Sequence, residues 1–152
     1  MSFIQNQIGL IGSQGSIYMS NSGTTISFNL TSTYKELTGL STSFVLASPS
    51  QDFAMTTDGR LKYTGIKTKT FSIDATFTLA SNSLGNEAIE LYKNGTTTGI
   101  ACFVGGINTL TLNGVPVSLS TNDYVSLFAK SSTNLTVNIY SVTIVATSME
   151  GG

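Results

Sequence analysis

Several residue types with distinctive chemistry are missing or rare in this sequence. Its 152 residues include no histidine, no tryptophan, one cysteine and two prolines. Without histidine, the chain can form neither a Ser-His-Asp nor a Cys-His catalytic arrangement, nor a histidine zinc site. The single Cys102 excludes an intrachain disulfide and a cysteine zinc cluster. Its apolar neighbours Ala101 and Phe103 favour a buried, unreactive thiol.

Charged residues are also scarce. They make up 10% of the chain, against about 25% in an average soluble domain. The net charge is −1, so the chain lacks the excess of positive charge that would attract the phosphate groups of a nucleic acid. We therefore expect no direct nucleic-acid partner. A surface with so little charge has weak colloidal repulsion, which favours association with other subunits.

Long apolar segments are absent too. No run approaches the roughly 18 residues needed to cross a bilayer, so no membrane span is expected. Residues 1–12 have no cationic start and are interrupted by Gln5, Asn6 and Gln7, so they do not resemble a signal peptide.

The few carboxylates offer weak candidates for chemistry. A glycosidase needs two carboxylates roughly 5 to 9 Å apart, and Asp74 with Glu90 is one conceivable pair. Asp52, Asp58 and Asp123 stand beside turns, where calcium could bind, but turn hydrogen bonding explains such aspartates more simply. We therefore predict that the protein is not an enzyme, with no catalytic residues, no metal and no cofactor.

What the sequence does contain is strand periodicity. Residues 71–79 alternate five apolar with four polar residues, the period of two that a half-buried strand requires. The chain has 23 threonines and 21 serines, which suit strand faces and turns and suit helix interiors poorly. We predict an all-β fold, a single jelly-roll sandwich of about eight to ten antiparallel strands.

Turn signals divide these strands. Asp58-Gly59, Asn94-Gly95 and Asn113-Gly114 each predict a tight turn, and Pro116 after the last one requires a strand edge or start. In the last strand the apolar positions change parity near Tyr140, which predicts a β-bulge there.

The first 23 residues differ from the rest. Glycines interrupt their isoleucines without a lasting period, which predicts an extended N-terminal arm over 1–23 and a jelly-roll domain over 24–152. Apolar side chains are costly to expose, so Ile4, Ile8 and Ile11 are expected to contact the domain or a neighbouring subunit.

The aromatic residues suggest where contacts with partners occur. Most phenylalanines, Phe71, Phe77 and Phe128 among them, lie at alternating strand positions and are expected in the core. Tyrosine suits interfaces and sugar-stacking surfaces as well. Tyr92 and Tyr124 are the predicted interface or ligand-contacting tyrosines.

Three segments, 59–65, 91–95 and 119–127, follow a known pattern. They read Gly-Arg-Leu-Lys-Tyr-Thr-Gly, Leu-Tyr-Lys-Asn-Gly and Leu-Ser-Thr-Asn-Asp-Tyr-Val-Ser-Leu. In this order they resemble jelly rolls of the tumour-necrosis-factor and complement-globular-head type. They also resemble the single jelly rolls of virion proteins of large DNA viruses and phages. The resemblance covers about residues 53–147 and implies no cofactor and no catalytic set.

The chain also differs from the tumour-necrosis-factor and complement-head pattern, and these differences decide which function we predict. Asn122 stands where the family often has glycine, and no collagen-like stem or coiled-coil heptad is present to join a secreted head into a trimer. We therefore expect a structural virion protein, a homopentameric penton subunit that closes the five-fold vertices of an icosahedral capsid. Its partners would be copies of itself and neighbouring capsid proteins on the capsid surface. The alternative is a trimeric fibre-head or receptor-binding jelly roll that recognises a host glycan or protein.

Overall fold

Two six-stranded antiparallel sheets face each other in a computed structural model of the chain. The structure describes residues 12–20, 26–38, 40, 44–80, 86–105 and 109–149. The strands are β1 (Gln14–Ser20), β2 (Ile26–Leu30), β3 (Lys35–Glu36), β4 (Val45–Leu46), β5 (Phe53–Ala54), β6 (Leu61–Tyr63), β7 (Lys69–Ala80), β8 (Asn86–Lys93), β9 (Thr96–Gly105), β10 (Thr109–Leu119), β11 (Tyr124–Ser131) and β12 (Leu135–Ser148).

The two sheets share the strands equally. Sheet A has the order β10-β7-β12-β1-β4, with β2 also paired to β12. Sheet B has the order β5-β6-β11-β8-β9, with β3 also paired to β11. The predicted all-β jelly-roll sandwich is confirmed, and the strands beyond the expected eight to ten are pieces of two or three residues. In the part of the chain described, no helix has the length and apolarity to cross a bilayer.

Strand β7 lies inside sheet A, between the edge strand β10 and β12. Its five apolar residues from Phe71 to Leu79 are almost completely buried, as the alternation predicts. The polar residues between them, including Asp74 and Thr76, face outward. The period-two pattern therefore assigns one face of β7 to the core and the other to the outside of the sandwich.

The predicted bulge in β12 is also confirmed. The register of β12 against β7 shifts between Ile139 and Ser141. Val137 and Ile139 are buried before the shift, and Val142 and Ile144 are buried after it. The extra residue, Tyr140, restores the apolar positions to the core side, since a one-residue offset reverses every later side chain.

The glycine turns have different outcomes. Asn94 and Gly95 both have positive φ, 51° and 76°, so they form the predicted hairpin turn between β8 and β9. Asn113-Gly114 is not a turn: β10 continues through it, and the register shifts between Leu112 and Val115. Gly114 has a φ of 65° and its N–H donates to Asp74 Oδ1 at 2.7 Å, so the pair forms a bulge.

Two other sequence predictions concern the strand edges and the hairpin at Gly59. Pro116 lies in β10, an edge strand of sheet A, as its missing N–H requires. Gly59 has a φ of 83°, and β5 and β6 pair across this hairpin. The Asp58 carboxylate accepts a hydrogen bond from Phe44 N at 2.7 Å, so this aspartate connects the Gly59 turn to the segment before β4.

Part of the predicted arm belongs to the sandwich. β1 (Gln14–Ser20) pairs with β12 over its whole length and with β4 on its other side, and Ile17 and Met19 are buried. The boundary between arm and domain at residue 23 stays a prediction, because 21–25 lie outside the described residues. Ile4, Ile8 and Ile11 lie outside them as well.

Three aromatic rings join the two sheets at one end of the core. Phe53 and Tyr63 come from sheet B and Phe71 from sheet A, with ring centroids 5.0 to 5.4 Å apart. The Tyr63 hydroxyl donates to Lys67 O at 2.7 Å, which satisfies its polar end. A Cβ on Gly15 would lie 2.5 Å from Phe53 Cβ, so β1 also packs closely against this cluster. Cys102, expected to be buried, is only half-buried beside the core.

We predict that Phe71→Ala destabilises the fold by about 3 to 5 kcal/mol, because it opens a cavity at the contact between the two sheets. The measurement is urea unfolding at fixed protein concentration. Tyr140→Ala is the control, since Tyr140 is 48% exposed on the same sheet, and it should change stability by about 0.5 kcal/mol or less. Equal losses in the two variants would contradict this assignment.

Candidate functional site

The strands of the two sheets differ in charge. Those of sheet A contain two charged residues, Lys69 and Asp74. Those of sheet B contain Lys35, Glu36, Lys62, Glu87, Glu90, Lys93 and Lys130. Charged residues are therefore concentrated in the strands of sheet B.

The two predicted tyrosines lie on the same outer face, that of sheet B. Ser126 of β11 is paired with Tyr92 of β8, and Tyr124 lies two residues before Ser126 on the same side of the strand. The alternate β11 residues, Val125 and Leu127, point into the core. Because side chains alternate along a strand, Tyr92 and Tyr124 share one face although they are distant in sequence.

Tyr92 belongs to an aromatic stack. Its ring lies parallel to that of Phe128, with centroids 3.7 Å apart and planes 7° apart. Tyr34 packs against Tyr92 at 6.1 Å, and Lys130 Nζ lies 4.6 Å from the centre of the Tyr34 ring. The expectation that Phe128 is a core residue is wrong, because its neighbours Leu127 and Ala129 occupy the inward positions.

A buried carboxylate lies beside this stack. Glu90 is 7% exposed, and it accepts hydrogen bonds from Gly99 N at 3.1 Å and from the Thr97 hydroxyl. Burial, followed by the charge of Glu90, raises the pKa of Tyr34 to about 12 and raises that of Tyr92. The Tyr34 phenol oxygen is buried without a hydrogen-bond partner among the described residues, so this part of the face holds neutral phenols.

At the other end of the outer face of sheet B, Arg60 contacts both Glu36 and Tyr124. Its guanidinium donates two hydrogen bonds to Glu36 Oε1, at 2.8 Å from one amino nitrogen and at 3.0 Å from Nε. The Ser126 hydroxyl donates to Glu36 Oε2 at 3.2 Å. The guanidinium carbon lies 4.6 Å from the centre of the Tyr124 ring. The hydrogen bonds to Glu36 raise the pKa of Arg60, so both its charge and its position are secured.

The turns beside Tyr124 are held by one carboxylate. Asp123 accepts hydrogen bonds at 2.8 Å from Ser120 N and from the Asn94 side-chain amide, and Lys93 Nζ lies 3.4 Å from it. Burial alone would raise the pKa of Asp123, but these hydrogen bonds and the Lys93 charge lower it. Asp123 therefore joins two turns, as turn chemistry predicts. In the residues described, no group of three potential ligands is placed to hold a metal ion.

The structure separates the pair weighed as glycosidase carboxylates. Asp74 faces outward from β7 in sheet A, whereas Glu90 lies on the outer side of β8 in sheet B. The two sheets and the core stand between them, so Asp74 and Glu90 cannot act on one substrate. That the protein is not an enzyme stays a prediction.

A cavity of about 180 Å³ lies next to Tyr124 at the edge of this face. It is lined by Thr56, Thr57, Arg60, Lys62, Asn122 and Tyr124. Of these residues, the sequence singled out only Tyr124 for binding. The threonines carried no signal because threonine is common throughout the chain.

We predict that Tyr34→Phe removes a phenol deprotonation near pH 12 and reduces the loss of stability at alkaline pH. A pKa raised by folding stabilises the protein below the ordinary tyrosine value of 10.0, and this contribution is lost as the pH rises to about 12. Phenolate absorbance and urea unfolding measure the two effects. Glu90→Gln should lower the pKa of Tyr34, because it removes a nearby negative charge. A late deprotonation that persists in Tyr34→Phe would assign it to another tyrosine.

Comparisons with known proteins bear on the fold. No protein-family model matches the sequence, and no curated protein matches it. Among solved structures, Eiger TNF from S. frugiperda superposes with a TM-score of 0.57 at 8% identity, over 93% of this chain and 96% of that one. Murine APRIL superposes with a TM-score of 0.54 at 7% identity, over 88% and 98%. Pika GITRL superposes with a TM-score of 0.51 at 11% identity, over 92% and 98%.

At these identities the likeness concerns the fold alone. It confirms the resemblance to jelly rolls of the tumour-necrosis-factor type and extends it over most of the chain. It lends no support to the predicted penton, to five-fold assembly or to capsid partners. The chain has a tumour-necrosis-factor-like jelly-roll fold, and the strands of its two sheets differ in charge.

Proposed function

We propose that this chain is the subunit of a homotrimeric recognition module. Three copies associate through the outer face of sheet A, and each copy presents the outer face of sheet B to a ligand. The observation that carries the proposal is the unequal distribution of charge between the two sheets. An almost uncharged sheet face is suited to contact with other subunits, and a face with fixed charges and aromatic rings is suited to recognition.

The outer face of sheet A carries an exposed apolar patch. Tyr18, Val45 and Val145 are 41%, 47% and 38% exposed. Tyr18 is paired with Val45 on one side, and Val145 lies diagonally across the β1–β12 pair on its other side. Neighbouring exposed apolar side chains on a sheet favour a protein–protein contact, because covering them removes apolar surface from water.

The same face presents little charge to a second copy. Asp74 is the charged strand residue on this face, and its Oδ1 atom accepts a hydrogen bond from Gly114 N at 2.7 Å. Lys69 lies on the core side of β7, in register with the buried Leu119. The outward side of β7 also carries the hydroxyl groups of Ser72, Thr76 and Thr78. Copies of this chain can therefore meet here without like-charge repulsion, and the threonine hydroxyls can hydrogen-bond across the contact.

The proposal adopts the alternative that the sequence left open and not the penton. A trimer agrees with the resemblance to tumour-necrosis-factor-like heads, and the shared fold over about nine-tenths of the chain supports that resemblance. We retain the virion surface as the proposed location, with the module acting as a fibre head or receptor-binding head. Its proposed function is binding and not catalysis.

We predict that Val145→Lys and Thr76→Lys convert the assembly to monomers, because each places an uncompensated charge in the contact between subunits. Light scattering during size-exclusion chromatography measures the mass, which for the unaltered protein should be three times 16.0 kDa. Ile100→Lys is the matched control. Ile100 is 40% exposed on β9 of sheet B, close to the 38% of Val145, and its replacement should leave the trimer intact.

Three results would contradict the proposal. A wild-type monomer would exclude self-association, and a mass of five subunits would restore the penton hypothesis. Dissociation by Ile100→Lys, with no effect of Val145→Lys, would move the contact to sheet B.

A further inference from the structure

The residues that line the cavity beside Tyr124 include positive charges but no negative charge. Two of its six lining residues are the cations Arg60 and Lys62, and none is a carboxylate. Arg60 is paired with Glu36, whereas Lys62 forms no ion pair with another described residue. The cavity therefore offers one uncompensated positive charge together with a fixed guanidinium, a combination that favours an anionic ligand.

The remaining walls offer unused hydrogen-bonding groups. The side chains of Thr56, Thr57 and Asn122 make no hydrogen bond to another described residue. Two hydroxyls and one carboxamide supply both donors and acceptors, which match the hydroxyl groups of a sugar. The Tyr124 ring adds an aromatic surface of the kind against which the apolar side of a sugar ring stacks.

The wall is also held in place. Asn122 has a φ of 75°, and its N–H donates to Tyr63 O at 2.8 Å, which anchors the turn to the buried Tyr63. Tyr124 N donates to Asn94 Oδ1 at 2.9 Å, and Arg60 packs on the Tyr124 ring. The Asn122 backbone, Tyr124 and Arg60 therefore lose little entropy when a ligand binds.

We propose that this cavity binds a carboxylated sugar residue, with the carboxylate at Lys62 and Arg60 and the sugar hydroxyls at Thr56, Thr57 and Asn122. A volume of about 180 Å³ is below the roughly 300 Å³ of the smallest sites for drug-sized ligands, so one sugar residue is accommodated and not a long chain. This inference rests on the proposed recognition function and specifies its ligand class.

The experiment compares charged and neutral forms of the same sugars. The methyl glycosides of glucuronic acid and of N-acetylneuraminic acid are each titrated into the full chain beside their methyl esters, with binding followed by saturation-transfer NMR and calorimetry. At least one acid should bind more tightly than its ester by about fivefold, the upper range for an exposed ion pair. The acid that binds more tightly, glucuronate or neuraminate, then shows whether the site prefers a uronic acid or a sialic acid.

Two variants and one control locate the site. Lys62→Gln should weaken binding of the acid about fivefold and leave binding of the ester unchanged. Asn122→Gly should weaken both ligands without unfolding the protein, because glycine adopts the positive φ of this position readily. Lys67→Gln removes the same charge outside the cavity and should have no effect.

The inference is overturned if neither acid binds, if acid and ester bind equally, or if Lys67→Gln weakens binding as much as Lys62→Gln. The mass of each sample is measured alongside. A trimer that binds no acid would refute only the ligand class, and a monomer that binds the acid would refute only the proposed assembly.

Discussion

The pairing of β7 with β12 is the contact on which the other strands depend. β7 also pairs with the edge strand β10, and β12 also pairs with β1 and β2, so these two strands connect most of sheet A. Both must present apolar residues to the same core along ten paired positions, and β12 does so only because the bulge at Tyr140 restores its parity. Phe71 then connects sheet A to sheet B, because its ring packs against the rings of Phe53 and Tyr63.

The sequence has few charged residues, but the fold gives the outer faces of the two sheets different side chains. On sheet A, threonine and serine surround the exposed side chains of Tyr18, Val45 and Val145. On sheet B, Glu36, Glu90 and Arg60 are fixed by hydrogen bonds and lie among the rings of Tyr34, Tyr92, Tyr124 and Phe128. A subunit with one almost neutral face and one ordered ionic face can associate with copies of itself and still present a specific surface, which is the basis of the proposed function.

Local sequence rules were reliable where one short-range cause decides the structure. Asn94-Gly95 forms its hairpin because both residues tolerate positive φ, and Pro116 lies on an edge strand because it has no N–H to donate. Asn113-Gly114 is the same dipeptide, but it forms a bulge within β10 instead of a turn. The difference is the Asp74 carboxylate of the neighbouring strand, which accepts the Gly114 N–H, and this partner is 40 residues away in sequence. The prediction for Phe128 is wrong for a similar reason, since the direction of its side chain depends on which residues of β11 face the opposite sheet.

The sequence by itself determined the all-β fold, the buried face of β7, the bulge in β12 and the absence of histidine chemistry, because these follow from periodicity and from residue types that are present or missing. Only the tertiary structure decided that Tyr92 and Tyr124 share a face, that Asp74 and Glu90 lie on opposite sides, and that Arg60, Lys62 and Asn122 line one cavity. These relations depend on which strands pair and in what register. Strand pairing joins residues far apart in the chain, and no single segment contains that information.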